Sequence, residues 1–261
     1  MKLHIYESGT REQPAILFLH GSPLSGRMWQ PQLDLLPDFH CLAPDLPEHG
    51  QSARIGPFEM NDTVRQLADL IRAASPDGRA HVVGLSFGGV VAQAMMVQTP
   101  EVVDHVILSG TAARLNSTLL TVLKIQIALN RPLMRWLSPT QLAALVRWQF
   151  GIPAQYSALL EDTKLVSPEA MMRFILATYA DVVVPIQTHS PTLVLVGQKE
   201  TPIAKMMARR LGRMIAGAKG ALVPGVGHMW NLQSPSLFAE TVRAWVGDSP
   251  LPDALCALAG K

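Results

Sequence analysis

Short apolar runs rich in β-branched residues alternate with segments of helical periodicity along most of this chain. Residues 3–6, 16–19, 39–43, 82–85, 106–108, 193–196 and 221–223 read as strands, most of them apolar on both faces. Between them, Val64, Leu67, Ala68 and Ile71 recur at helical spacing behind a cap at Asn61 or Asp62. A second helix runs from Phe87 to about Thr99, where Pro100 stops it. Thr201-Pro202 and Ser234-Pro235 each supply an N-cap and a first-turn proline for a later helix. Buried strands alternating with helices are the sequence sign of a mostly parallel sheet flanked by helices on both faces.

The alternation breaks between residues 112 and 187. That stretch keeps helical periodicity, carries Pro132, Pro139, Pro153, Pro168 and Pro185, and has no convincing strand. It predicts a helical insertion, a lid (cap) over a core made of residues 1–111 and 188–247. Residues 248–261 form a proline-containing tail expected to be ordered only in part. With 261 residues, 48% of them hydrophobic and 16% charged, the chain suits one large α/β domain. A net charge of +2 without a dense Lys/Arg run argues against nucleic acid as a partner. No stretch of 18 apolar residues predicts a membrane span, and residues 1–7 lack the apolar core of a signal peptide. Cys41 and Cys256 lie far apart in sequence, and Cys41, inside a strand, reads as a small buried hydrophobe. The expected setting is the cytoplasm and the expected partner a small-molecule substrate; monomer and homodimer are equally compatible with the sequence.

The strongest chemical signal is His81-Val82-Val83-Gly84-Leu85-Ser86-Phe87-Gly88-Gly89. The pattern G-x-S-x-G alone would arise by chance in roughly one chain of this length in ten. Its context makes it specific, because an apolar strand precedes it and a helix follows at once. Such a strand–turn–helix corner, a nucleophile elbow, forces strained backbone angles on the serine, and glycines two positions either side remove the clashes that result. Ser86 is then the candidate nucleophile, and the Phe87 N–H, at the positive end of a helix, is a candidate oxyanion donor.

With this elbow the chain resembles the α/β-hydrolase family over nearly its whole length apart from the insertion. His20-Gly21-Ser22-Pro23 looks like the family's H-G loop, which implies the Ser22 N–H as second oxyanion donor. Asp45-Leu46-Pro47-Glu48-His49-Gly50-Gln51-Ser52 resembles its D-x-x-G-x-G-x-S loop, with Glu48 where glycine is common, a surface acid with no evident role. Pro224-Gly225-Val226-Gly227-His228-Met229 resembles the loop that presents the histidine base. A serine hydroxyl needs a base within hydrogen-bond reach, and His228 alone among eight histidines follows a late strand on a glycine-bearing loop. His20 and His49 read as loop-tying residues, His81 and His105 as strand-start residues. The family's acid usually ends a G-x-x-D sequence after the strand that follows the insertion. Here that position is Glu200 in Gly197-Gln198-Lys199-Glu200, and Asp181 is a distant substitute. Ser109-Gly110-Thr111-Ala112-Ala113, the alternative location, holds no carboxylate.

The resemblance implies a serine hydrolase that cleaves ester-type bonds through Ser86, His228 and Glu200. Ser86 argues against dehalogenases and epoxide hydrolases of this fold, whose nucleophile is aspartate. Met229 stands where hydroxynitrile lyases carry lysine. Pro23, Met229 and Trp230 are candidate substrate contacts, although Trp230 reads equally well as packing beneath the next helix. Carbon–carbon bond hydrolysis or cofactor-free peroxidation at the same site, and a ligand receptor on this fold, remain open alternatives. No metal-ligand motif and no G-x-G-x-x-G follows a strand, so no metal or cofactor is expected. The insertion, rich in Leu, Ile and Met with Trp136, Trp148, Phe150, Tyr156, Phe174 and Tyr179, suits small to medium hydrophobic substrates. Arg114, Arg131, Arg135 and Arg147 keep an anionic substrate in play.

Overall fold

A computed structural model describes residues 2–115, 117–180 and 182–258, the side chains of 123, 127, 130–135 and 168 excepted. Among the described residues, strands β1 (Ile5–Ser8), β2 (Ala15–Leu19), β3 (His40–Pro44), β4 (Ala80–Leu85), β5 (Val103–Ser109), β6 (Thr192–Gly197), β7 (Lys219–Val223) and β8 (Cys256–Ala257) form one sheet. Its order is β1-β3-β2-β4-β5-β6-β7-β8, parallel within and antiparallel at both edges. The helices are α1 (Gln30–Leu35), α2 (Met60–Ala74), α3 (Phe87–Gln98), α4 (Ser117–Trp136), α5 (Pro139–Phe150), α6 (Leu159–Leu165), α7 (Pro168–Ala180), α8 (Pro202–Met214), α9 (Trp230–Gln233) and α10 (Pro235–Val246).

The parallel strands are buried on both faces, so successive side chains feed two separate cores. Leu17, Leu19, Val82, Val106, Leu108, Val194 and Val196 pack with α2, α3 and α8 on one side. Ile16, Phe18, Val83, Leu85, Ile107, Leu193 and Leu195 pack with Trp29, Trp230, Phe238 and Val242 on the other. This two-sided burial explains why the strands read as continuous apolar runs rather than as alternating ones.

Helix α2 starts at Met60, ahead of the Asn61 or Asp62 cap, with Glu59 as its flanking residue. Thr201 caps α8 by accepting from the Ala204 N–H, whereas Ser234 makes no side-chain cap for α10 and leaves the start of that helix to Pro235. Between β5 and β6, the described residues of the insertion contain α4 to α7 and no strand. Part of the tail joins the sheet. Residues 256–257 add an antiparallel edge strand to β7, and the Leu258 N–H donates to the Gly220 carbonyl. A two-residue strand carries too little pattern to be read from sequence. No helix among the described residues is long and apolar enough to cross a membrane.

Candidate active site

The site forms at the carboxyl ends of the central parallel strands, where an open α/β sheet leaves backbone and loops free to meet a ligand. Ser86 sits between β4 and α3 with φ 55° and ψ −117°, a conformation that costs a residue with a Cβ of order 1–3 kcal/mol. The surroundings enforce it. The Ser86 N–H donates to the Ser109 carbonyl at 2.9 Å, and its own carbonyl accepts from the Thr111 hydroxyl at 2.7 Å. A Cβ on Gly84 would stand 2.5 Å from the Gly88 carbonyl oxygen, and one on Gly88 would stand 2.1 Å from that of Leu19. Those two glycines are therefore steric requirements of the turn. Phe87 is the first residue of α3, one of the four positions whose N–H lacks an intrahelical acceptor.

The loop after β2 brings Gly21 so close that a Cβ there would meet the Ser86 Cβ at 3.1 Å. A turn closed by the Leu24 N–H on the Gly21 carbonyl fixes Ser22 and Pro23 beside the serine. His20 supports this loop from behind. Its Nε2 accepts the Leu46 N–H at 2.9 Å, which leaves Nδ1 to carry the proton toward the Gly21 carbonyl at 3.2 Å. Burial, reinforced by nearby His49, holds the His20 imidazole well below its ordinary pKa, and so keeps it neutral. Burial likewise lowers His49 to about 4, where it ties the Pro47 carbonyl and packs on Phe174 of α7. Both rings serve the loops, in keeping with their sequence reading.

His228 follows β7 and donates or accepts through Nδ1 with Glu200 Oε2 at 2.7 Å. With Glu200 ionised, Nδ1 is the donor and the imidazole Nε2 is free to act as a base. The second oxygen of Glu200 accepts the Gly197 N–H at 3.0 Å, so the buried carboxylate has both oxygens satisfied. The longer glutamate side chain folds back on its own turn to reach the ring. Gly110, at φ +55°, leaves the space this pair needs, since a Cβ there would lie 2.9 Å from His228 Nδ1 and 3.2 Å from Glu200 Oε1. In sequence the Gly110 segment is marked only by its lack of a carboxylate; the space the missing side chain leaves belongs to the folded chain. Asp181 lies outside the described residues.

Ser86, Ser22, Phe87, Glu200 and His228 all open on one cavity of about 770 Å³ beneath the insertion. Its walls include Pro23 and, from the insertion, Trp148, Phe150, Phe174 and Tyr179. The Phe150 ring lies 5.0 Å from that of His228, and burial pushes the Tyr179 phenol up, so it faces the cavity as a neutral hydroxyl. Met229 lines a small recess beside Ser86. Trp230 is not among the residues lining either cavity: it is fully buried, donates from Nε1 to Ser109 Oγ at 2.8 Å and packs on Phe238. The helix that begins at Trp230 turns its indole under the sheet.

Polar contacts also tie the insertion to loops of the core. Glu48 is no surface acid. It sits at φ 65°, accepts from the Phe58 N–H, and receives a two-pronged hydrogen bond from Arg173 of α7 at 2.6 and 3.1 Å. Asp162 of α6, 2% exposed, accepts from Ser25 Oγ and from the Tyr156 hydroxyl, both at 2.9 Å. Arg147 is spent on the carbonyls of Pro153 and Tyr156, and Arg114 is exposed and outside the cavity wall. The side chains of Arg131 and Arg135 lie outside the described residues.

A sequence model of the alpha/beta hydrolase family matches residues 16–241. The chain belongs to the alpha/beta hydrolase family. An AB hydrolase superfamily protein of Gibberella zeae is 31% identical over 95% of this hydrolase and 85% of its own chain. Lipase LipV of Mycobacterium tuberculosis is 34% identical, over 44% of each chain. Among solved structures, a thermophilic esterase from Thermogutta terrifontis superposes with a TM-score of 0.76 at 25% identity, covering 94% of this hydrolase and 93% of the esterase. The protein is thus a hydrolase-family member with esterase- and lipase-like neighbours.

Proposed function

We propose that this hydrolase cleaves esters of small to medium apolar acids or alcohols by acyl transfer through Ser86. The observation that carries the reading is the strained Ser86 corner opening on the same cavity as an imidazole already oriented by a buried carboxylate. His228 takes the Ser86 proton as the serine oxygen attacks the ester carbonyl, and the Ser22 and Phe87 N–H groups receive the oxyanion. Glu200 holds the reactive tautomer and stabilises the imidazolium that forms. His228 protonates the leaving alcohol, then activates the water that releases the acid. Pro23 and the insertion's aromatic residues hold the apolar part of the ester.

The test is hydrolysis of p-nitrophenyl esters of increasing acyl length by the wild type, Ser86→Ala and Glu200→Gln. Ser86→Ala should lower turnover by about 10⁵-fold or more, and Glu200→Gln by about 10⁴-fold, since glutamine leaves charge and tautomer wrong while keeping shape. Near-normal turnover in Ser86→Ala would overturn the acyl-enzyme. No turnover of any ester by folded wild type would transfer the site to carbon–carbon hydrolysis or to ligand binding.

A further inference from the structure

At the opposite end of β4 from Ser86, the sheet carries a β-bulge. Ala80 pairs with Val103 and Val82 with Val106, so His81 alone stands opposite both Asp104 and His105. Regular alternation would send the Asp104 and His105 side chains to opposite faces of the sheet. The bulge cancels that alternation. Val103 and Val106, three residues apart, both pack into the core shared with α2 and α3. Asp104 and His105 are left together beside His81, with His105 edge-on to Trp245 of α10. Bulges are rare in parallel pairs and serve to re-aim side chains.

We propose that His81, Asp104 and His105 form a binding site for a divalent transition-metal ion of the zinc class. Asp104 Oδ1 lies 3.2 Å from His105 Nδ1, and Oδ2 lies 3.7 Å from His81 Nδ1. One ligand atom from each of the three residues falls within 4.8 Å of the others. Nitrogen and oxygen ligands about 2.0–2.1 Å from a tetrahedral ion stand about 3.3 Å apart, so the widest of these separations contracts by up to about 1.5 Å on an ion. Two imidazoles and one carboxylate are a donor set that zinc-class ions favour over calcium or magnesium.

The fourth neighbour is what a metal site requires behind its ligands. Asp248, held at φ 51° just past α10, places Oδ1 3.3 Å from His105 Nε2. An imidazole whose nitrogens face two carboxylates is satisfied either by a second proton or by a cation at one nitrogen. With the ion on Nδ1, the Nε2–H donates to Asp248, the carboxylate–histidine–metal arrangement that fixes tautomer and ring orientation. The Arg79 guanidinium, 3.9 Å from Asp104 Oδ1, is the cation that competes for the carboxylate in the ion-free chain. No spacing motif marks this site, because its ligands come from two strands and are gathered by the bulge. Five residues of extended chain separate His81 from Ser86, roughly 16 Å. The ion therefore has a structural role, joining β4, β5 and the end of α10, and the inference is independent of the ester reading.

The experiment is isothermal titration of chelator-treated full-length protein with zinc chloride at neutral pH, with cobalt(II) as an optical probe. The wild type should bind one ion per chain, with a cobalt spectrum of tetrahedral intensity and a raised melting temperature. His81→Gln and His105→Gln should each weaken binding at least 10-fold, while His228→Ala keeps it. Asp248→Asn, a change at an exposed position that leaves the sheet intact, should weaken binding about 10-fold and covers the case in which a strand variant fails to fold. Absence of saturable binding below millimolar zinc would overturn the site. So would stoichiometric binding that survives in folded His81→Gln, His105→Gln and Asp248→Asn.

Discussion

Replacing Asp162 with asparagine should stabilise this protein at neutral pH, although it removes a buried charge that two hydroxyls hydrogen-bond. Burial is the largest influence on the Asp162 carboxyl and raises it from 3.8 to about 6, against the opposing pull of Tyr156, Ser25 and Arg27. The folded pKa lies above the unfolded one, so the folded chain holds this proton more tightly. Stability from Asp162 is fully present below about pH 4 and is lost as pH rises through 6. A carboxyl moved from 3.8 to about 6 corresponds to about 3 kcal/mol of folding free energy lost at pH 7.5 relative to pH 4. Asparagine is nearly isosteric and cannot ionise. Its oxygen keeps one hydroxyl as donor, and its NH₂ donates to the oxygen of the other, since Ser25 and Tyr156 can both accept. Urea unfolding of both proteins at pH 4.5, 6.0 and 7.5 should show Asp162→Asn more stable by about 1–3 kcal/mol at pH 7.5, with the gap closing toward pH 4.5. A variant no more stable than the wild type at pH 7.5 would refute the reasoning, as would a gap that does not change with pH.

Two further outcomes follow from the site. Gly110→Ala places a methyl group 2.9 Å from His228 Nδ1 at a positive φ, and should lower kcat about 10- to 100-fold with little change in KM; unaltered kcat would show that the His228–Glu200 pair tolerates displacement. Arg173→Met keeps the aliphatic packing of α7 but removes both hydrogen bonds to Glu48, and should cost about 1–2 kcal/mol and speed limited proteolysis of the insertion; an unchanged cleavage rate would mean that α7 is held by its apolar face alone.

The class of fold was legible because it is written in local periodicity. Strands buried on both faces must be apolar throughout, and helices that cover them must be apolar on one side, so the β/α alternation survives in the bare sequence. Ser86 was legible for a similar reason: a sharp corner between strand and helix demands glycines at fixed offsets within five residues. His228 and Glu200 were found through the order of their loops along the chain. Their meeting at 2.7 Å, and the use of both Glu200 oxygens, are facts of the folded chain.

What the sequence could not specify are the relations between residues far apart in the chain. Trp230 stands two positions from His228, yet its indole turns into the core because a helix starts there and Ser109 accepts its proton. Glu48 departs from a common glycine, and only the packing of α7 reveals Arg173 as the partner that makes the acid useful. His81, Asp104 and His105 carry no motif, because the extra residue of β5 opposite His81 decides which faces their side chains take. Patterns set by one element's own geometry can be read in order along the chain; contacts between elements depend on packing, where register and a single extra residue redirect every side chain.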